Sequence, residues 1–368
     1  MRFFRGSKAI LAVRAAGLGL VLAGHGNGLA QNQNPEVQVR PSTGTASTGN
    51  RIAIDVSVTD KLGHAVEGLQ AGDFTVLDNR EPQKLLDFRA IGARSATDPT
   101  QVVVVVDMIN TGFNEVAWER QQLDAFLEQD GGKLANPTSL AILADGGIKA
   151  QRGWSLDGSA LLAAFDKSQT ALRSIGREAG FYGDVERMQM SLSQLEQLIS
   201  YEATQPGRKL FLVISPGWPL LPDAGSQEGI KQREWVFHSI VELTTKLRAG
   251  HIILYCLDPF NLGVTNPFYY QSYLKPVAVL KNAEYPDLAL QVLAEHSGGQ
   301  VLIKGKDITG DLNIAVRDAS GGYELTFEGS PGDQPNEYHA LQVQVDKPEV
   351  KVRTTAGYYA KPDLEKAH

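Results

Sequence analysis

Val102-Val103-Val104-Val105-Val106-Asp107-Met108-Ile109-Asn110-Thr111 is the stretch on which the reading of the fold turns. Five successive β-branched residues do not alternate with polar ones. A strand of that kind is buried on both faces, as in a parallel sheet covered by helices. It ends abruptly in a carboxylate, Asp107, followed by an amide and a hydroxyl, Asn110 and Thr111.

Working outward, two more runs have the same character: Lys209 to Ile214, and Ile252 to Leu257. Ser139 to Leu143 reads as a further strand. Between them lie amphipathic patterns at helical spacing: Trp118 to Gln129, Ser155 to Ser168, Val185 to Tyr201, Lys231 to Arg248, Pro286 to His296 and Asp311 to Ala319. Met188, Leu192, Leu195 and Leu198 mark the apolar stripe of the third. Gly298 to Ile303 reads as a short edge strand. Alternation of this kind predicts an α/β fold with a doubly wound, mostly parallel, Rossmann-like sheet over 97–320. Its ligand site is expected beyond the carboxyl ends of the strands, where Asp107, Asp145, Ser215 and Asp258 stand.

The flanks are of another type. Ile52, Ile54, Val56 and Val58 alternate with small or polar residues, and Phe74 to Asn79 and Leu85 to Ala90 suggest two more strands and a turn. After Gly322 the alternation returns at Tyr323, Leu325 and Phe327, at Leu341, Val343 and Val345, and at Val350 and Val352. Few strands at either end need partners. One sandwich-type β-domain is therefore expected from 51–96 and 321–360, with the α/β unit inserted in it or flanked by it, and a polar tail at 361–368.

The first thirty residues read as an export signal. Arg2, Arg5 and Lys8 precede a mostly apolar run from Ala9 to Leu22, and Gly28-Leu29-Ala30 offers small residues for cleavage. That run is shorter than the roughly 20 residues of a membrane span. The chain is then expected in the periplasm or outside the cell, without membrane insertion after cleavage, with 31–50 as a polar lead-in. The chain carries a net charge of −7, which gives it no electrostatic reason to bind nucleic acid. Its single cysteine, Cys256, rules out an intrachain disulfide and reads as a packed thiol.

Four passages resemble the von Willebrand factor A-related family described mainly from acidobacteria. They are Val56 to Val66 with Gly68 to Phe74 and Asp78; the strand ending in Asp107 to Thr111; Pro206 to Pro219; and Tyr323 to Phe327 with His339, Leu341, Val343 and Val345, ending in Val352 to Ala360. The resemblance implies an exported protein with an A-like domain, a flanking β-domain and no catalytic residues. In that family an Asp-x-Ser-x-Ser pattern holds Mg²⁺ or Mn²⁺, with an Asp after a later strand. Here Asp107 and Thr111 match as metal ligands, whereas Ile109 and Ser215 depart from the pattern, so a degenerate metal-ion-dependent adhesion site is expected.

The function expected is binding of a protein partner that the sequence does not name. Asn110, Ser215, Trp218, Phe268, Tyr269 and Tyr270 are candidates for the contact surface. The aromatic segment 260–273 offers either rigid binding area or a small core over helix ends. Two rival readings stand beside it. One is a hydrolase or phosphatase using Asp107 or Ser215, against which Ile109 stands where such phosphatases place their second Asp. The other is an inert structural component of the envelope.

Overall fold

The computed structural model describes residues 50–92, 99–169, 181–218, 229–258, 269–303, 307–319 and 321–361. The export signal, most of the lead-in, Phe268 and nearly all of the tail lie outside them.

The described chain opens with β1 (Arg51–Thr59), β2 (Phe74–Asp78), β3 (Glu81–Gln83) and β4 (Leu85–Ile91). A second group follows: β5 (Gln101–Asp107), α1 (Phe113–Leu127), the single turn α2 (Gln129–Gly132), β6 (Lys133–Leu143), β7 (Lys149–Ala150), β8 (Ser155–Asp157), α3 (Gly158–Gln169) and α4 (Phe181–Glu202). It continues through β9 (Lys209–Ile214), α5 (Ile230–Ala249), β10 (Ile252–Leu257), α6 (Leu290–His296), β11 (Val301–Leu302) and α7 (Ile308–Ala319). The chain closes with β12 (Gly322–Glu328), β13 (Glu337–Val345), β14 (Lys351–Thr354) and β15 (Gly357–Ala360).

The fold is a mixed α/β one, with one mostly parallel sheet and two antiparallel sheets. The parallel sheet runs β11-β10-β9-β5-β6-β7, and only β7 and β8 pair antiparallel to β6. Alternate residues of the valine run serve opposite faces. Val103 and Val105 pack with α4, α5 and α6; Val102, Val104 and Val106 pack with α1, α3 and α7. Burial on both sides is why the run needs no polar alternation. The chain leaves β5 toward β6 on one side, and β9, β10 and β11 build the other. The winding thus reverses between β5 and β9, which leaves a crevice at their carboxyl ends.

The antiparallel sheets are ordered β14-β1-β12-β4 and β15-β13-β2-β3. They face each other across one core. Ile52, Ile54, Val56, Leu325 and Phe327 come from the first sheet, and Phe74, Val76, Val343 and Tyr358 from the second. Phe74, Phe88 and Tyr323 form a ring cluster with centroids 4.9 to 5.7 Å apart. The sandwich draws on both ends of the described chain: β1 pairs with β12 from Ile52↔Phe327 to Val56↔Tyr323, and β4 pairs with β12 at Ile91↔Gly322.

Buried polar links tie the sandwich to the α/β unit. Asp55 on β1 meets the Nδ1 of His251 at 3.0 Å and the Nε of Arg208 at 3.3 Å. On β14, Arg353 pairs with Asp318 of α7 and donates to the hydroxyl of Tyr255 at 3.2 Å; Tyr255 in turn donates to Asp318 at 2.7 Å. Among the described residues, no helix is long and apolar enough to cross a membrane.

Candidate functional site

The crevice between β5 and β9 is filled from within. Asp107 is fully buried, and both of its oxygens are engaged by protein donors. The backbone N–H groups of Ile109 and Asn110 donate to Oδ1 at 2.9 and 3.2 Å. Asn110 Nδ2 and Ser215 Oγ each donate to Oδ2 at 2.7 Å. Ser215 is itself buried, and its oxygen accepts the N–H of Gly217 at 3.0 Å. Burial pushes the Asp107 carboxyl above the usual carboxylate range, against the downward pull of these four donors.

Two polar residues on α4 extend this hub, and their roles were not read from the sequence. Ser191 receives a hydrogen bond from Asn110 Nδ2 at 2.8 Å. Gln194 clamps both backbone groups of Ala144 at the end of β6: its Oε1 accepts from the N–H at 3.1 Å and its Nε2 donates to the carbonyl at 2.8 Å. Both lie among Met188, Leu192, Leu195 and Leu198, on the buried side of the helix. A polar residue inside an apolar stripe was the available signal.

The divalent ion implied by the family resemblance has a poor set of donors here. Both Asp107 oxygens are taken. Ile109 sits in the hydrophobic core, so the second ligand position presents carbon. Ser215 turns its hydroxyl toward Asp107. Thr111, the other matching position, is buried with its Oγ1 unpartnered, as is the Oδ1 of Asn110. No three described His, Cys, Asp or Glu side chains gather closely enough to wrap a metal ion. The residues present do not fit that ion.

The expected contact surface is rearranged. Trp218 does not project: it is 4% exposed, and its Nε1 donates to the carbonyl of Leu288 at 2.9 Å. The cause is Gly217, whose φ of +84° turns the chain back on itself. Tyr270 is buried against Ala289 and Val292, with Tyr269 and Tyr273 packed beside it. Of the two alternatives for the aromatic segment, its described part takes the small core. Tyr269 is half-buried, its hydroxyl 3.5 Å from the Oε1 of Gln291. Cys256 is buried, and burial drives its thiol well above the ordinary range.

A different residue stands out. Glu119 lies on α1, on the same buried face as Val116 and Leu123, and is 1% exposed. Neither of its carboxyl oxygens has a hydrogen-bond partner. Burial, then the charges of Asp107, Glu115 and Asp258, push its pKa up to about 9. A charged residue at a core position of the helix was the cue in the sequence.

Exposed apolar residues also lie at this end of the sheet. α5 follows β9, so its N-terminal turn stands at the carboxyl end of the sheet. There Ile230 is 74% exposed and Trp235 40%, with Val279 close by in sequence to the turn that α5 packs against. Trp235 packs on Tyr285 with ring centroids 5.9 Å apart. Arg233 Nη1 donates to the carbonyl of Lys281 at 3.2 Å and ties the two segments together.

No family model matches the chain, and no curated protein matches it. Among solved structures it is similar to the pilus adhesin SpaC from Lactobacillus rhamnosus GG in its open conformation, with 10% identity and a TM-score of 0.36 over 80% of this chain and 49% of that one. Another form of the same adhesin gives 8% identity and a TM-score of 0.34 with the same coverage. The TFIIH p34 N-terminal domain gives 11% identity and a TM-score of 0.27 over 61% of this chain and 99% of that one. The chain spans about half the length of the adhesin chains it matches. Likeness at these TM-scores carries no argument about function.

Proposed function

We propose that the chain is an exported, non-enzymatic binding module of the von Willebrand factor A-related kind, docking a protein partner at the carboxyl-end rim of its parallel sheet. One observation carries the reading. Ile230 and Trp235 leave apolar surface exposed at the N-terminal end of α5, and Trp235 is held in place by Tyr285. Fixed aromatics at a surface give binding area at low entropic cost. In this proposal Asp107 and Ser215 are the scaffold under the rim and do not touch the partner. The binding needs no divalent ion at Asp107.

The test is photo-crosslinking in cells that export the full chain. A photoreactive residue placed at Trp235 is expected to give one discrete adduct. The same probe at Leu156, exposed on β8, is expected to give none. Equal labelling from both positions, or no adduct from Trp235, would reject the proposal. A Trp235→Ala variant that keeps the thermal stability of the wild type separates loss of contact from loss of fold.

A further inference from the structure

A sheet ends in strands with one unpaired side, and such edges recruit other strands unless they are short, charged or covered. In this fold the described edges are short with one exception. β14 and β15 have four residues each, β3 and β8 three, and β7 and β11 two. β3 also carries Pro82, which has no N–H to offer. β4 is the exception: seven residues, Leu85–Ile91, without a proline, paired with β12 on one side and with no described strand on the other. Asp87 and Arg89 are exposed on it, and their spacing of two sets them on the same outer face of the sheet. Phe88 between them turns into the sandwich core, its ring centroid 5.7 Å from those of Phe74 and Tyr323. Across the ladder Arg89 meets Glu324 at 2.5 Å, whereas Asp87 faces the neutral Thr326.

Charges on an edge ordinarily keep other strands away, but this pair makes the edge its own complement. A second copy related by a two-fold axis normal to the sheet runs antiparallel and keeps outer face beside outer face. Residues of the same face then come opposite one another. Centred on Asp87, carboxylate would meet carboxylate; centred on Arg89, guanidinium would meet guanidinium. Centred on Phe88, Asp87 of each copy meets Arg89 of the other. Opposite charges directly across a ladder stabilise it, and like charges oppose it. We propose that β4 is a self-association edge, through which two copies join their β14-β1-β12-β4 sheets into one continuous sheet about a two-fold axis at Phe88. Arg89 then lies between Glu324 of its own chain and Asp87 of the second copy. Leu86, 42% exposed and left out of the β12 ladder by the register shift beside Phe327, gains cover opposite Ala90 of the second copy. The charges admit this one register and repel edges that lack the matching order. The contact concerns the sandwich and does not depend on the protein-binding rim of α5.

The test is sedimentation velocity of the full chain over a series of concentrations. A reversible monomer–dimer equilibrium is expected, with a Kd of about 10–100 μM, at the weak end of specific interfaces. Asp87→Lys sets like charges at both crossings and is expected to weaken association at least about tenfold. Arg89→Glu is expected to do the same. Equimolar mixing of the two variants restores opposite charges at both crossings and is expected to give a dimer of near wild-type strength. The Tm of each variant checks its fold. Should Arg89→Glu lower it, because Glu324 stands opposite, Asp87→Lys decides alone. A wild type that stays monomeric at about 500 μM would overturn the proposal and leave the edge to strands of other proteins. So would an Asp87→Lys dimer as tight as the wild type, or two folded variants that associate no better together than apart.

Discussion

The hydroxyl of Ser215 donates to the Oδ2 of Asp107 at 2.7 Å, joining two neighbouring strands at the point where the winding of the sheet reverses. The bond does locally what a shared ligand would do: it fixes the two strand ends against each other. Ser215→Ala leaves a buried carboxylate oxygen short of a donor and the Gly217 N–H without its acceptor. The expected cost is about 1–3 kcal/mol. Urea unfolding should show a lower midpoint with an unchanged slope; an unchanged midpoint would mean that water replaces the hydroxyl freely.

A second prediction concerns pH. The hydrogen bond to Asp55 is the largest influence on His251 and, against burial, holds its pKa above the ordinary 6.5. For Asp55, burial is the largest influence and pushes upward, but the hydrogen bond from His251 and the charge of Arg208 outweigh it and hold the pKa below 3.8. A raised histidine contributes stability that is complete below 6.5 and is lost as pH rises through the folded value. A depressed carboxyl contributes stability present above 3.8 and lost as pH falls through its folded value. The link between sandwich and α/β unit is therefore strongest between those two limits. Glu119 loses stability in the same direction as His251 when pH rises, so the measurement is a difference. His251→Asn is the suitable variant, because His251 has a φ of +52° and Asn tolerates that region. The gap in Tm between wild type and variant should shrink as pH rises above 6.5; a constant gap would show that charge plays no part.

The second link rests on Arg353. Its guanidinium meets Asp318, the Tyr255 hydroxyl and Ser57 Oγ. Arg353→Met keeps much of the apolar stem and strands a nearly buried carboxylate, at an expected cost of about 3 kcal/mol. The companion Asp318→Asn, Arg353→Met double variant should recover part of that loss in chemical denaturation. If the double variant is as unstable as the two losses added together, the residues are not coupled.

Packing gives a fourth case. A Cβ at Gly299 would stand 1.9 Å from the carbonyl oxygen of Leu254 and 2.8 Å from its carbon. Both atoms belong to the backbone of a central strand, so the side chain has nowhere to move. Gly299→Ala is expected to cost at least about 3 kcal/mol, read as a lowered Tm. A variant within a degree or two of the wild type would show that the loop before β11 can shift away from β10.

The buried strands were the legible part of the chain, because a strand covered on both sides has no polar alternation to confuse it. Lys209–Ile214 and Ile252–Leu257 match the sequence reading residue for residue. α1 begins five residues earlier than Trp118. Its first turn follows Gly112, which gives no side-chain cap to announce it. Trp218 misled because its orientation depends on the turn at Gly217 and on a carbonyl seventy residues away. Glu119 was passed over for the opposite reason: the helix pattern is strong enough around it to hide one acid on the apolar face.

The junction of the inserted unit has a mechanical consequence. Ile91 and Gly322 are cross-strand partners, so the chain enters and leaves the α/β unit at one place in the sandwich. A pull applied between β1 and β15 is carried by the β1–β14 ladder, because β15 follows β14 directly in the chain, and in parallel by the β1–β12 and β13–β15 ladders. The backbone of the α/β unit lies outside that line of force, which reaches the unit only through the side-chain links at Asp55 and Arg353.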